Sequence, residues 1–254
     1  MNEGYRERVY SSDDGLRLAY RDYGDPLSAA TAVLCLPGLT RNAKDFHGLA
    51  LWMSLRRRVL CPDYRGRGQS QYDPDWRHYN PQAYVEDIRH LLIATGVHKV
   101  HVIGTSLGGI LVMVMAVDMP GTIAGAVLND IGPEIQMDGL VTIIEYLKDD
   151  TPFPDWDAVA SHLREVFPNL PARSAEDWIQ IAQNTHREDP GRGLVPNWDP
   201  AIAKPFAKAP AAKVNLWPLF NALGNVPVLA VRGTKSSILS EKTFDRMAPS
   251  PCPP

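Results

Sequence analysis

Gly104-Thr105-Ser106-Leu107-Gly108 constrains this chain more than any other stretch. It follows the apolar run Val100-His101-Val102-Ile103 and opens onto Ile110-Leu111-Val112-Met113-Val114-Met115-Ala116-Val117. That pattern predicts a buried strand running straight into a buried helix, with a serine at the turn between them. At so sharp a turn the serine backbone is strained, and side chains two residues before and after it would clash. Glycines at 104 and 108 remove those clashes and leave the Ser106 hydroxyl exposed above a sheet as a candidate nucleophile. The same five residues also read as a small-residue turn packing a helix on a strand. The elements on either side favour the nucleophile.

The first half of the chain alternates strand and helix signals. Arg8 to Tyr23 predicts two strands around the turn Ser12-Asp13-Asp14-Gly15. Ala32-Val33-Leu34-Cys35-Leu36 is a continuous apolar run, as in a strand buried on both faces. A helix is expected from Asn42 to near Leu55, with Phe46, Leu49, Ala50 and Met53 on one face. Arg58-Val59-Leu60-Cys61 is the next strand, and Pro81 to Thr95 is a helix opened by proline and stopped by Gly96. Ala124-Gly125-Ala126-Val127-Leu128 and Val226-Pro227-Val228-Leu229-Ala230-Val231 supply further strands. The expected fold is α/β, a mainly parallel, doubly wound sheet with helices on both faces.

Between the last two strands the character changes. Helical segments and proline-rich connections predict no strand there, and Trp156, Trp178, Trp198, Phe153 and Phe167 supply an aromatic core. The division expected is a core of residues 1–132 and 216–247, a helical cap of residues 133–215 inserted over the sheet, and an irregular tail of residues 248–254.

A net charge of −3 over 254 residues predicts neither a nucleic-acid surface nor a polybasic anchor. The start, Met1-Asn2-Glu3-Gly4-Tyr5-Arg6-Glu7-Arg8, lacks the apolar run of a signal peptide, and no run reaches the roughly 20 residues of a membrane span. Cys35 and Cys61 fall in buried strands and Cys252 in the tail, which reads as small core residues and not a disulfide framework. No Cys/His group has zinc-ligand spacing. These features predict a cytoplasmic protein with no metal, no cofactor and no nucleic-acid or membrane partner. The oligomeric state is left open.

Ligands of open parallel sheets bind beyond the carboxyl ends of the strands. Ser106 falls there, as does the loop Leu36-Pro37-Gly38-Leu39-Thr40. Acyl transfer needs two donors aimed at the developing oxyanion, and the backbone N–H groups of Leu39 and Leu107 are the candidates. From about residue 5 to 247 the chain resembles the α/β-hydrolase family, in particular its cap-bearing serine esterases. The resemblance rests on Leu36-Pro37-Gly38-Leu39, Asp63-Tyr64-Arg65-Gly66-Arg67-Gly68-Gln69-Ser70, Gly104-Thr105-Ser106-Leu107-Gly108-Gly109 and Val228-Leu229-Ala230-Val231-Arg232-Gly233. It implies a serine-nucleophile hydrolase acting on small carboxylic esters through an acyl-enzyme, with a small-molecule ester or acyl substrate as partner. Pro37 stands where similar proteins usually have histidine, which leaves the backbone donor intact.

The resemblance fails at two catalytic positions. Ser237 occupies the place of the family's acid, and a hydroxyl cannot stabilise an imidazolium with a full charge. The base is expected in a Gly-His turn after a last strand. Here Met247 is followed by Ala248-Pro249-Ser250-Pro251-Cys252-Pro253-Pro254, which predicts a truncated end without that strand or its closing helix, and an uncovered strand at 226–231. Asp130, after the strand beyond the nucleophile helix, is the best remaining acid, although it also reads as a turn cap. None of His47, His78, His90, His98, His101, His162 and His186 is identified as the base. Alternatives stay open: an inactive ligand-binding relative, a lactonase, a carbon–carbon bond hydrolase or a perhydrolase.

Overall fold

The computed structural model describes residues 4–206 and 215–248. The chain opens with an antiparallel hairpin, β1 (Tyr5–Ser11) and β2 (Arg17–Tyr23). The parallel strands follow: β3 (Ala32–Leu36), β4 (Val59–Pro62), β5 (Val100–Thr105), β6 (Ile123–Asn129) and, much later in the chain, the last strand of the main sheet. The helices that connect the first of them are α1 (His47–Ser54), α2 (Pro81–Thr95) and α3 (Leu107–Asp118).

Beyond β6 come α4 (Met137–Lys148), α5 (Trp156–Val166) and α6 (Ala175–Thr185). A short antiparallel hairpin then pairs His186–Asp189 with Gly193–Pro196. The expectation of a strandless insert fails here: each arm is only four residues long, and His-Arg-Glu-Asp carries no apolar alternation to announce it. Numbered in chain order the two arms are β7 and β8, which makes the last strand of the main sheet β9 (Val228–Val231). A five-residue helix α7 (Trp217–Asn221) precedes β9, and α8 (Glu241–Met247) follows it.

The main sheet has seven strands in the order β1-β2-β4-β3-β5-β6-β9. β2 meets β4 antiparallel, and every contact from β4 to β9 is parallel. Alternation along β3 explains the two layers of core. Val33 and Cys35 pack with Ala50 of α1, Phe46, Val59 and Cys61 on one face, while Leu34 and Leu36 join the larger cluster containing α2 and α3 on the other. α3 is apolar nearly all round and correspondingly buried, with Leu111, Val112, Met113 and Met115 sealed. The helix expected from Asn42 instead begins as a tight 3-10 turn over Ala43–Phe46, capped by the Asn42 side chain on Lys44 N–H at 3.1 Å. Leu49, expected on its buried face, is exposed: the change from the tight turn to α1 rotates that position outward. At α2 the proline start and the left-handed Gly96 stop stand where the sequence predicts.

The insert is seated on the core at the end of α6, where Asn42 Nδ2 donates to Asn184 O at 2.7 Å and Lys44 Nζ to Gln183 O at 2.9 Å. β9 pairs only with β6 among the described residues and exposes Val228, Leu229 and Val231. Of the tail, only Ala248 lies within the described residues, and Cys252 lies outside them. Among the described residues no helix is long and apolar enough to cross a membrane.

Candidate active site

Ser106 sits between β5 and α3 with φ 51° and ψ −116°. Its backbone is fixed on both sides: its N–H donates to Asn129 O of β6 at 3.2 Å, and its C=O accepts from Gly109 N–H at 2.9 Å. A left-handed φ is costly for any residue with a Cβ, so the turn survives only where its surroundings over-determine it. The glycines do this. A Cβ at Gly104 would meet the Gly108 carbonyl at 2.5 Å, and one at Gly108 would overlap the backbone carbonyl of Leu36. α3 can therefore pack directly on β3 and β5 only without side chains at these positions. Gly108→Ala is expected to destabilise the fold by about 3 kcal/mol or more, because backbone and not a flexible side chain blocks the new methyl. A urea midpoint unchanged from wild type would contradict the assigned packing.

The loop after β3 lies beside the serine. A Cβ built on Gly38 would stand 3.7 Å from Ser106 Cβ and 3.4 Å from Arg41 Cγ. Its carbonyls are each held: Pro37 O by the Tyr64 hydroxyl at 3.1 Å, Gly38 O by Arg41 N–H at 3.2 Å, and Leu39 O by Arg67 Nε at 2.5 Å. With the Gly38 carbonyl turned to Arg41, the N–H of the same trans peptide, that of Leu39, faces the opposite way. Neither Leu39 N–H nor Leu107 N–H donates a hydrogen bond among the described residues. The two candidate oxyanion donors are thus on the loop beside the half-buried Ser106 and at the first residue of α3, where Leu107 has the added field of the helix amino terminus.

Asp130 follows β6 and is, with Ser106, one of two non-glycine residues of positive φ among the described residues, at 55°. Its N–H donates to Val231 O at 2.8 Å, and its Oδ1 accepts from Gly233 N–H at 2.9 Å. The carboxylate thus bridges the ends of β6 and β9, one residue beyond the carbonyl that receives the Ser106 amide. Ser237 is exposed and packs against Gly139 of α4, whose absent Cβ would stand 2.5 Å from Ser237 O.

All seven histidines fall within the described residues, and none hydrogen-bonds Ser106 there. His47 pairs with the Tyr23 hydroxyl, His78 with Asp73, and His90 lies near Glu86. His98 is exposed after α2, and His101 packs beside Gly125. His162 and His186 belong to the aromatic core of the insert with Tyr146, Phe153 and Trp198.

His186 is sealed, its Nδ1 against Thr185 Oγ1 at 3.0 Å, and burial together with His162 pushes its pKa down to about 4. Below an unfolded value near 6.5, the unfolded chain takes a proton that the folded chain refuses, so stability is lost as pH falls from about 6.5 towards 4. The wild type is expected to lose about 2 kcal/mol at His186 between pH 7 and pH 5. His186→Leu should flatten that slope; equal urea-midpoint differences in the two proteins would refute the assignment.

The segment Asp63–Ser70 does work that its sequence did not disclose. Asp63 is buried and accepts from Ala43 N–H at 2.7 Å and Gln69 N–H at 2.9 Å, with burial raising its pKa against those bonds. Gly68 has φ +58° and leaves no room for a side chain over that carboxylate. Arg65 binds Asp87 through both ends of its fork, at 2.7 and 2.6 Å, and reaches Asp73 at 2.7 Å and Asp14 at 2.8 Å. Asp14, Asp73 and His78 bring their ligand atoms within 4.8 Å of one another, but the Arg65 guanidinium already bonds both carboxylates. An open cavity of ≈ 370 Å³ lies against the β1–β2 hairpin, walled in part by Arg17, Arg21 and Lys44, and does not include Ser106.

Comparison with known proteins agrees with this frame. The sequence profile described as alpha/beta hydrolase fold matches residues 31–246. A 3-hydroxybutyrate-oligomer hydrolase of Cupriavidus necator is 32% identical over 241 residues, covering 91% of this chain and 81% of that protein. An sn-1-specific diacylglycerol lipase of Mus musculus is 34% identical over 104 residues, 40% of this chain and 33% of its own length. The crystal structure of an alpha/beta hydrolase from Novosphingobium aromaticivorans superposes with a TM-score of 0.89 at 40% identity, covering 96% of this chain and 86% of that one. A profile that begins just before β3 and ends in α8 spans most of the chain and leaves one assignment: the chain belongs to the alpha/beta hydrolase fold family of hydrolases.

Proposed function

We propose that the protein hydrolyses small carboxylic esters, with Ser106 as nucleophile and an acyl-enzyme as intermediate. One observation carries this reading: the strained Ser106 lies beside Gly38, and the neighbouring N–H groups of Leu39 and Leu107 have no acceptor among the described residues. Ser106 Oγ forms a bond to the ester carbonyl carbon and loses its proton to a base. The carbonyl oxygen gains charge under the N–H groups of Leu39 and Leu107. As the carbonyl re-forms, the bond to the leaving oxygen breaks, and that oxygen departs as the alcohol after taking a proton. Water then adds to the acyl carbon, the acid leaves, and Ser106 regains its proton.

Asp130 is the proposed acid, because its carboxylate sits at the same sheet edge as the nucleophile; Ser237 has no charge to offer. The insert over residues 133–215 is the proposed cap. Short oligoesters of 3-hydroxybutyrate are the first substrates to test, by similarity to the Cupriavidus necator protein. A ligand-binding protein without turnover is the second reading, favoured by the lack of any histidine bonded to Ser106 among the described residues.

The test is intact-mass analysis after exposure to p-nitrophenyl acetate, followed by peptide mapping. One acetyl group on Ser106, lost in Ser106→Ala, is expected. An unmodified protein, or an acetyl group elsewhere, sinks the nucleophile assignment. An adduct that never turns over, with no release of acid from the oligoester, selects the second reading.

A further inference from the structure

Arg67 is fully buried and forms no ion pair among the described residues, unlike the other two buried arginines, Arg58 and Arg65, which are matched by carboxylates. A buried guanidinium without a counter-ion is costly unless neutral acceptors surround it. Its neighbours are of that kind. Nε donates to Leu39 O at 2.5 Å, and Nη1 donates to Arg65 O and to the Tyr84 hydroxyl, each at 3.1 Å. The cation lies 5.0 Å from the Tyr84 ring centroid and 5.6 Å from that of Tyr64. Nη2 has no hydrogen-bond partner among the described residues. A net positive charge therefore remains directly beneath the loop that presents Leu39 N–H.

We infer that Arg67 is a positioning residue for the oxyanion site, an inference that rests on Ser106 being the nucleophile. It acts in two ways. The charge-assisted bond to Leu39 O, with the Tyr64 hydroxyl on Pro37 O, locks the peptides on either side of the Gly38–Leu39 unit and fixes the direction of the Leu39 N–H. The unneutralised charge also favours negative charge on the loop's outer side. Tyr64, stacked on Tyr84, keeps the cation on its two aromatic faces.

The test compares acylation of Ser106 by p-nitrophenyl acetate in Arg67→Met, Arg67→Lys, Arg58→Met and Ser106→Ala. Arg67→Met should lower the acylation rate constant about 10-fold with half-saturation unchanged, less than the loss of a whole oxyanion donor. Arg67→Lys should recover part of the rate. Arg58→Met, which breaks a buried pair with Asp22, should lose stability but not rate. In protein carrying ¹⁵N-leucine, the Leu39 amide resonance should shift in Arg67→Met. Should that variant not fold, Arg67→Lys and Tyr84→Phe carry the same rate and resonance comparison. Wild-type rates in the Arg67 variants, or an equal slowing in Arg58→Met, overturn the positioning role. Acylation persisting in Ser106→Ala overturns the nucleophile reading and the positioning role with it.

Discussion

Added imidazole should raise ester hydrolysis by this chain on the order of 10-fold, and Ser106→Ala should abolish the increment. Serine is a weak nucleophile until a neighbouring base takes its proton, and positioned general bases typically contribute about 10²- to 10⁴-fold. Here the turn at the proposed nucleophile Ser106 is formed and both candidate oxyanion donors lack acceptors among the described residues, yet all seven histidines are engaged or exposed elsewhere. A base from solution can reach a half-buried hydroxyl, so it substitutes in part for a fixed one. Without imidazole, turnover is expected to be slow. Fast hydrolysis without imidazole, lost in Ser106→Ala, would mean that a histidine reaches Ser106 by a rearrangement absent from this structure. Asp130→Asn is a companion measurement: with imidazole present it should slow turnover if the carboxylate orients the incoming cation.

The second large effect concerns stability. Arg65→Met is expected to destabilise the protein by about 3–5 kcal/mol at pH 7, because it leaves buried carboxylates without their counter-charge. The side chains of Asp73 and Asp87 are only 2% and 4% exposed, so water cannot replace the guanidinium. Burial already raises the pKa of Asp87 against the lowering influence of Arg65. In the variant it should bind a proton well before the unfolded chain does, so the folded state holds more protons and gains stability as pH falls. The deficit should therefore be largest at neutral pH and shrink towards pH 4. Arg65→Met combined with Asp87→Asn should recover part of the loss. Urea midpoints across pH decide it; a deficit independent of pH would show that packing, and not charge, is what Arg65 supplies.

Much of the fold was legible because its signals are local. A proline start with a glycine stop fixes α2, five consecutive apolar residues fix β3, and glycines two residues either side of Ser106 fix the turn into α3. The β7–β8 hairpin escaped because its arms are short and half polar. Arg67 escaped for a different reason. Between two glycines in a loop it reads as a solvated cation, and its burial depends on Leu39, 28 residues away, and on Tyr64 and Tyr84 closing around it. Asp130 was visible by position, but its left-handed backbone and its bond to Gly233 depend on β9 arriving more than 90 residues later. Local chemistry names the proposed nucleophile; the supports around it are written in distant segments.

The seat of the insert on the core has a consequence for how this protein can diverge. Asn42 and Lys44 grip main-chain carbonyls of Asn184 and Gln183, in the last turn of α6, where a helix leaves carbonyls without partners of its own. Every amino acid carries that carbonyl, so these two bonds do not depend on the side chains of α6, whereas the longer contact from Asn184 Nδ2 to Asp45 Oδ1 at 3.4 Å does. Substitutions elsewhere on the helix can change the surface of the insert while these two bonds persist. The constraint falls instead on Asn42 and Lys44, which makes the core the conservative partner and the insert the inventive one.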